Sequence, residues 1–275
     1  MKLGYNEATC MKNSILEKDL VLCEKHGYDY IEIRLDMLKD YLQKNKIVDL
    51  QAFFRSSNLK PYAFNSYENI NFCNSKQWHE LLDLFAFGCE LSQAIGNKYL
   101  IMVPTMGDDM WEKSRKDIFE DSVEVLNKLA DIAKPYHVKL AFEPIGDKRW
   151  CVRSLEQAAE IVQAIDREEV GYALDSFNLY LWNKLENIDA IDNVPLEKLF
   201  VYHIDDCEDL PLGVVDHCHR LYPGDGVIPL DAITQKLHNK GYREICSVEL
   251  FRPEYWELDP EEVIKTAAAK TCRFL

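Results

Sequence analysis

Strand-like and helix-like patterns alternate along this chain eight times. That rhythm marks a parallel α/β fold, because each parallel neighbour must be reached by a crossover long enough to hold a helix. The strand-like runs are Leu3–Asn6, Tyr30–Arg34, Pro61–Asn65, Tyr99–Pro104, Lys139–Glu143, Gly171–Asp175, Phe200–Ile204 and Ile245–Leu250. Amphipathic segments lie between them. Ile15, Leu16, Leu20 and Leu22 mark one that Gly27 closes, and Ile118, Val125, Leu129 and Ile132 fall on one side of the stretch 114–136. Ser154 reads as the N-cap of LEQAAEIVQAI, and Gly241 ends LDAITQKLHNKG. Eight units in 275 residues favour a single closed (β/α)8 barrel over an open doubly wound sheet. The first strand runs into GYNEATC rather than a glycine-rich fingerprint, so a dinucleotide fold has no support. No linker or break in composition interrupts residues 1–275, which read as one domain.

In such a barrel the chemistry collects at the C-terminal ends of the strands. There the fifth to eighth runs, KLAFE, VGYALD, LFVYH and CSVE, place Glu143, Asp175, His203 and Glu249. Three carboxylates and an imidazole converging at one edge repel one another unless a cation lies between them. The four are therefore expected to hold one divalent metal ion, and a donor set of carboxylates and imidazole without thiolate suits Mn²⁺, Co²⁺, Mg²⁺ or Zn²⁺. Four protein ligands leave coordination positions for a substrate with adjacent hydroxyl and carbonyl oxygens. Polarising that carbonyl acidifies the neighbouring C–H, and Glu143 and Glu249 are the candidate proton carriers through a metal-bound enediolate.

Composition removes several alternatives. A net charge of −15 argues against a nucleic-acid partner, whose phosphates need clustered Lys and Arg. No apolar run is long enough to span a bilayer and MKLGYNEATC lacks a signal-peptide core, so a cytoplasmic location and no membrane partner are expected. The nine cysteines show no CxxC spacing and read as reduced thiols. A homo-oligomer is compatible with this composition, although no residue pattern specifies one.

Other residues carry two readings each. The connection from Asp205 to Val227 is long enough to cover the barrel mouth, and its His217 and His219 offer a second, weaker metal site. Asp205 shares a strand face with His203 and either orients a ligand or lies at the surface. Glu32 and Arg34 alternate on the second strand, as an internal ion pair or as substrate contacts. Asn6, Glu7 and Asn65 end the first and third strands and are candidates to line a pocket. Trp150, Trp182, Tyr255 and Trp256 are candidate apolar walls for a ring, against the commoner fate of packing.

Beyond these patterns, NEAT (6–9), LCEKHGYDYIEIR (22–34), LDSF (174–177), YHIDD (202–206) and SVELFRPEY (247–255) resemble the xylose isomerase-like TIM barrels. Within them the similarity is greatest to the 2-keto-myo-inositol isomerases, or inosose isomerases, of inositol catabolism. The resemblance implies a metal held at Glu143, Asp175, His203 and Glu249, with Mn²⁺, Zn²⁺ or Co²⁺ as the ion. It also implies an isomerase or epimerase acting on a keto-cyclitol or keto-sugar. Arg220, ahead of Pro223–Gly224, matches an arginine that contacts substrate oxygens in related keto-sugar epimerases. Asn178 stands where those epimerases carry histidine, and can bind a hydroxyl but not shuttle a proton. Arg252 follows Glu249 closely enough to reach a substrate oxygen or to pair with Glu254. The alternative activity on the same scaffold is a metal-dependent dehydratase of a keto-cyclitol or dehydroshikimate-like acid.

Overall fold

A computed structural model describes residues 1–186 and 188–275. Eight parallel strands close into a barrel: β1 (Lys2–Asn6), β2 (Tyr30–Arg34), β3 (Lys60–Tyr67), β4 (Tyr99–Met102), β5 (Lys139–Phe142), β6 (Val170–Asp175), β7 (Leu199–Ile204) and β8 (Ile245–Val248). Each pairs with its sequence neighbour, and β8 closes the ring on β1. The eight expected runs are these strands, with differences only at their ends. β4 stops at Met102, before Pro104, which has no N–H for the ladder; Val103 still donates to Tyr67 O at 2.8 Å. Glu143 and Glu249 sit one residue beyond β5 and β8, and Glu143 N continues the pairing by donating to Met102 O at 3.0 Å.

Side chains alternate in and out along a strand, so one parity of each strand fills the barrel. Tyr62, Ile101, Ala141, Ala173, Val201 and Ile245 form a compact inner cluster, separate from the larger layer between sheet and helices. Two residues further along β5, β6 and β7 the same inward parity brings Glu143, Asp175 and His203. The residues beneath them are Ala141, Ala173 and Val201, and beneath Glu249 lies Ser247. Small side chains at that layer leave room for the longer polar ones above.

The outer layer is built from α1 (Leu16–Lys25), α2 (Leu35–Leu42), α3 (Ile47–Ser56), α4 (Ser75–Ile95), α5 (Arg115–Ala133), α6 (Leu155–Ile165), α7 (Ser176–Leu181), α8 (Leu230–Lys240), α9 (Pro253–Trp256) and α10 (Pro260–Thr271). Ser154 caps α6 in a reciprocal box with Gln157, and Gly241 ends α8 in the left-handed conformation at φ 89°. Two crossovers depart from one helix per strand. Between β2 and β3 the chain makes both α2 and α3, and after β6 it makes the six-residue α7 followed by short 3₁₀ turns.

The 205–227 connection is ordered by its own polar groups. Asp206–Cys207 and Arg220–Leu221 pair as an antiparallel ribbon, and the Asp206 carboxylate accepts from the amides of Gly224, Gly226 and Ile228 at 3.1, 2.9 and 2.8 Å. Position 226 has to be glycine, because a Cβ there would lie 2.1 Å from Cys207 O. The ribbon delivers Arg220 to the mouth of the barrel.

Candidate metal centre and its cavity

Glu143, Asp175, His203 and Glu249 arrive at one point because four adjacent strands end there; Asp175 and His203 stand directly opposite in the β6–β7 register. One ligand atom from each lies within 4.8 Å of the other three, and all four residues are buried. His203 Nδ1 is 3.5 Å from Glu143 Oε2, 3.6 Å from Glu249 Oε2 and 4.0 Å from Asp175 Oδ2. Its other ring nitrogen, Nε2, is 3.1 Å from Glu32 Oε2. Since a carboxylate only accepts, Nε2 carries a proton and Nδ1 is the nitrogen turned to the three carboxylates. Glu32 therefore fixes the imidazole as the outer partner of a metal-bound histidine does. The Glu32–Arg34 pair considered from sequence does not form: Arg34 binds Asp36 at 2.9 Å, and its amide donates to Glu7 Oε2 at 2.8 Å.

Amide donors orient the carboxylates. Asn6 and Asn65 both donate to Glu249 Oε1 at 2.9 Å, and Asn178 Nδ2 donates to Glu143 Oε1 at 2.9 Å. Asn178 N donates to Asp175 Oδ1 at 2.7 Å, so Asp175 also caps α7. Arg220, 1% exposed, places Nη1 2.9 Å from both Glu249 Oε2 and Asp175 Oδ2, and it also pairs with Asp205. Its guanidinium lies 4.8 and 5.1 Å from the ring centroids of Phe177 and Phe251. Asp205 accepts from Ser176 Oγ and Phe177 N at 2.6 and 2.9 Å, which ties Arg220 to the start of α7.

This donor set fits a divalent cation. Five buried carboxyl groups (Glu32, Glu143, Asp175, Asp205 and Glu249) face one guanidinium, so the centre carries surplus negative charge. His203 Nδ1 is buried without a hydrogen bond, and Asp175 Oδ2 has the Arg220 guanidinium as its one polar partner besides the imidazole. Burial pushes Glu143 up to about 7, although His203 pulls the other way. Burial alone would lower His203, but Glu32, Glu249 and Glu143 outweigh it and raise the imidazole well above its ordinary value. Protons thus stand in for part of the positive charge that the site demands.

A cavity of about 190 Å³ opens beside the four residues. Glu143, Glu249, Asn178, Arg220 and Asn65 form its polar wall, and Val103, Ile145, Trp150 and Phe251 much of its apolar wall. Asn6 supports Glu249 from outside that lining, and Glu7 is turned toward the Arg34 amide. Arg252 does not line the cavity; it binds Glu208 at 2.7 Å and Glu254 at 3.2 Å, with a long 3.5 Å contact to Arg220 O. Tyr255 stacks on Tyr222 at 4.2 Å, Trp256 donates to Ala8 O at 3.3 Å, and Trp182 lies beside a neighbouring hollow. Ile145 and Phe251 were not singled out from sequence. Both sit two residues past a ligand, so strand parity carried beyond the strand end was the available signal.

A family model described as the xylose isomerase-like TIM barrel matches residues 20–273. The chain belongs to that family. An inosose isomerase of Bacillus velezensis is 43% identical over 272 residues, covering 98% of this chain and 96% of the relative. An inosose isomerase of Bacillus subtilis (strain 168) is also 43% identical, with the same coverage. A 1.8 Å crystal structure of the IOLI protein with a binding zinc atom superposes with a TM-score of 0.95 at 42% identity, covering 100% of this chain and 98% of that one. At such identity over nearly the whole of both chains, this member of the xylose isomerase-like family groups with the inosose isomerases. Among the described residues no helix is long and apolar enough to cross a membrane.

Proposed function

We propose that the chain is a divalent-metal-dependent isomerase that moves the carbonyl of a keto-inositol to the neighbouring carbon. The observation that carries this reading is the meeting of Glu143, Asp175, His203 and Glu249 beside a cavity, in a chain 43% identical to inosose isomerases. The four residues are the proposed metal ligands, with Zn²⁺, Mn²⁺ or Co²⁺ as the ion; the zinc in the solved relative favours Zn²⁺. Such an ion, when bound, acts as a Lewis acid on the substrate carbonyl.

The remaining work belongs to the protein's own groups. Glu249, held by Asn6, Asn65 and Arg220, has a fixed carboxylate that can take a proton from the carbon beside the ketone. Glu143, oriented by Asn178 and lying across the site from Glu249, is the proposed group that returns a proton to the former carbonyl carbon. The hydroxyl proton passes to the old carbonyl oxygen, so the substrate gains and loses nothing overall. Arg220 and Asn178 are the proposed contacts to substrate oxygens. Arg252, tied to Glu208 and to Arg220 O, supports Arg220 from behind.

Incubating zinc-loaded protein with 2-keto-myo-inositol in D₂O and following it by NMR tests this reading. A second keto-inositol carrying deuterium at a carbon adjacent to a carbonyl is expected. Loss of water to give an unsaturated product would identify a dehydratase instead. Chelation should stop the reaction, and Zn²⁺, Mn²⁺ or Co²⁺ should restore it.

A further inference from the structure

The loop after β7 brings one more imidazole to the cavity. His217 opens the turn His217–His219, capped by Asp216, which accepts from Cys218 N at 3.0 Å. Its ring packs among Phe177, Trp150 and Phe251 at centroid distances of 5.4, 5.7 and 5.8 Å. Nδ1 lies 3.2 Å from Arg220 Nη2. A guanidinium only donates, so Nδ1 accepts and the ring proton is on Nε2. Burial, followed by the Arg220 charge, lowers the His217 pKa to about 4, which agrees with an uncharged ring at neutral pH. That Nε2–H is buried and has no partner.

Asn178 presents the opposite case. Its amide nitrogen donates to Glu143, which assigns Oδ1 as the acceptor, and Oδ1 too is buried without a partner. Both residues line the cavity, and His217 is the only histidine among its described lining residues. An unmatched buried polar atom costs about 1–3 kcal/mol. One orphan donor and one orphan acceptor in the same wall match hydroxyl groups, which both give and accept hydrogen bonds.

We infer that His217 and Asn178 bind ring hydroxyls of a polyhydroxylated substrate, His217 donating through Nε2 and Asn178 accepting through Oδ1, while Trp150 and Phe251 cover the C–H faces. This rests on the isomerase reading and adds the device that selects the ring. Proton transfer at carbon stays with Glu143 and Glu249, and His217 acts by binding.

The test compares zinc-loaded wild type, His217→Phe and His217→Gln on 2-keto-myo-inositol and its monodeoxy analogues. The phenylalanine keeps the ring packing and removes the donor, so KM should rise about 10- to 100-fold with a smaller change in kcat. Glutamine, which can accept from Arg220 and still donate, should recover most of the loss. On one monodeoxy analogue wild type and His217→Phe should be equally poor. An unchanged KM, or a penalty of the same factor on every analogue, would overturn the assignment, the latter meaning that His217 acts only through Arg220. Should the phenylalanine variant lose its fold or its zinc, His217→Asn, polar but too short, is read in the same way. Wild type that turns over no keto-inositol would contradict the isomerase reading instead, and calorimetric titration with 2-keto-myo-inositol would still report whether His217 contributes to binding.

Discussion

At the floor of the barrel the polar groups close on one another, whereas at its mouth they converge without closing. On the floor, the Tyr62 hydroxyl donates to Phe200 O at 2.9 Å, and its ring meets Tyr30 and Tyr99 at 4.7 and 5.1 Å. Lys98 Nζ caps this cluster from 5.5 and 5.3 Å above the Tyr30 and Tyr62 rings. At the mouth, His203 Nδ1, Asn178 Oδ1 and His217 Nε2 are buried with no hydrogen bond. The same strands supply both ends. The difference teaches that the Tyr62 cluster is closed by its own contacts and serves stability, while these three mouth atoms keep hydrogen-bonding or ligating capacity for something that binds there.

The largest effects that would break this comparison are at the mouth. Glu143→Gln and Glu249→Gln should each lower kcat by about 10² to 10⁴, the usual weight of a general acid or base, with an unchanged circular dichroism spectrum. Turnover within a few-fold of wild type would remove that glutamate from proton transfer. On the floor the pattern should reverse. Tyr62→Ala should cost about 3–5 kcal/mol in urea unfolding, as for other large aromatic truncations, yet leave zinc affinity alone. A variant with full stability and weakened metal would show that the two ends are not separate.

Smaller effects sharpen the picture. Glu32→Gln leaves His203 as a ligand but loosens its orientation, so metal affinity should drop about 10- to 100-fold by competitive chelator titration. His203→Ala should lower the zinc content measured after dialysis. The smallest effect concerns pH. Glu143 and His203 are both raised in the metal-free protein, so the native state holds more protons than the unfolded chain from roughly pH 4.5 to 7 through Glu143, and from about pH 6.5 upward through His203. Stability of the metal-free protein should therefore fall as pH rises through those windows. Zinc needs deprotonated ligands, so the rise in Tm on adding it should grow over the same range. Parallel melting curves with and without zinc would contradict this charge balance.

How much of this was legible in the sequence follows from period and parity. The eight strands were readable because β-branched and aromatic runs are short and sharply bounded, and the four convergent residues stood at the ends of consecutive runs. Strand parity could in principle have reached Glu32, which faces His203 across the barrel, but a residue 171 positions away gives no local sign of its partner. Arg220 and His217 are harder still. They lie in the 205–227 connection, where no period applies, and only the ribbon beside Cys207 fixes where they point. The doubled α2–α3 crossover and the short α7 were missed for a related reason: amphipathic spacing marks a helical face but not where a chain turns between two helices.

The most direct measurement is anomalous scattering at the zinc edge from a crystal grown with Zn²⁺. The account predicts one strong peak bonded to Glu143, Asp175, His203 Nδ1 and Glu249, with His203 Nε2 still on Glu32. A map with no peak among those four side chains, in a crystal where zinc is bound elsewhere or not at all, would contradict it.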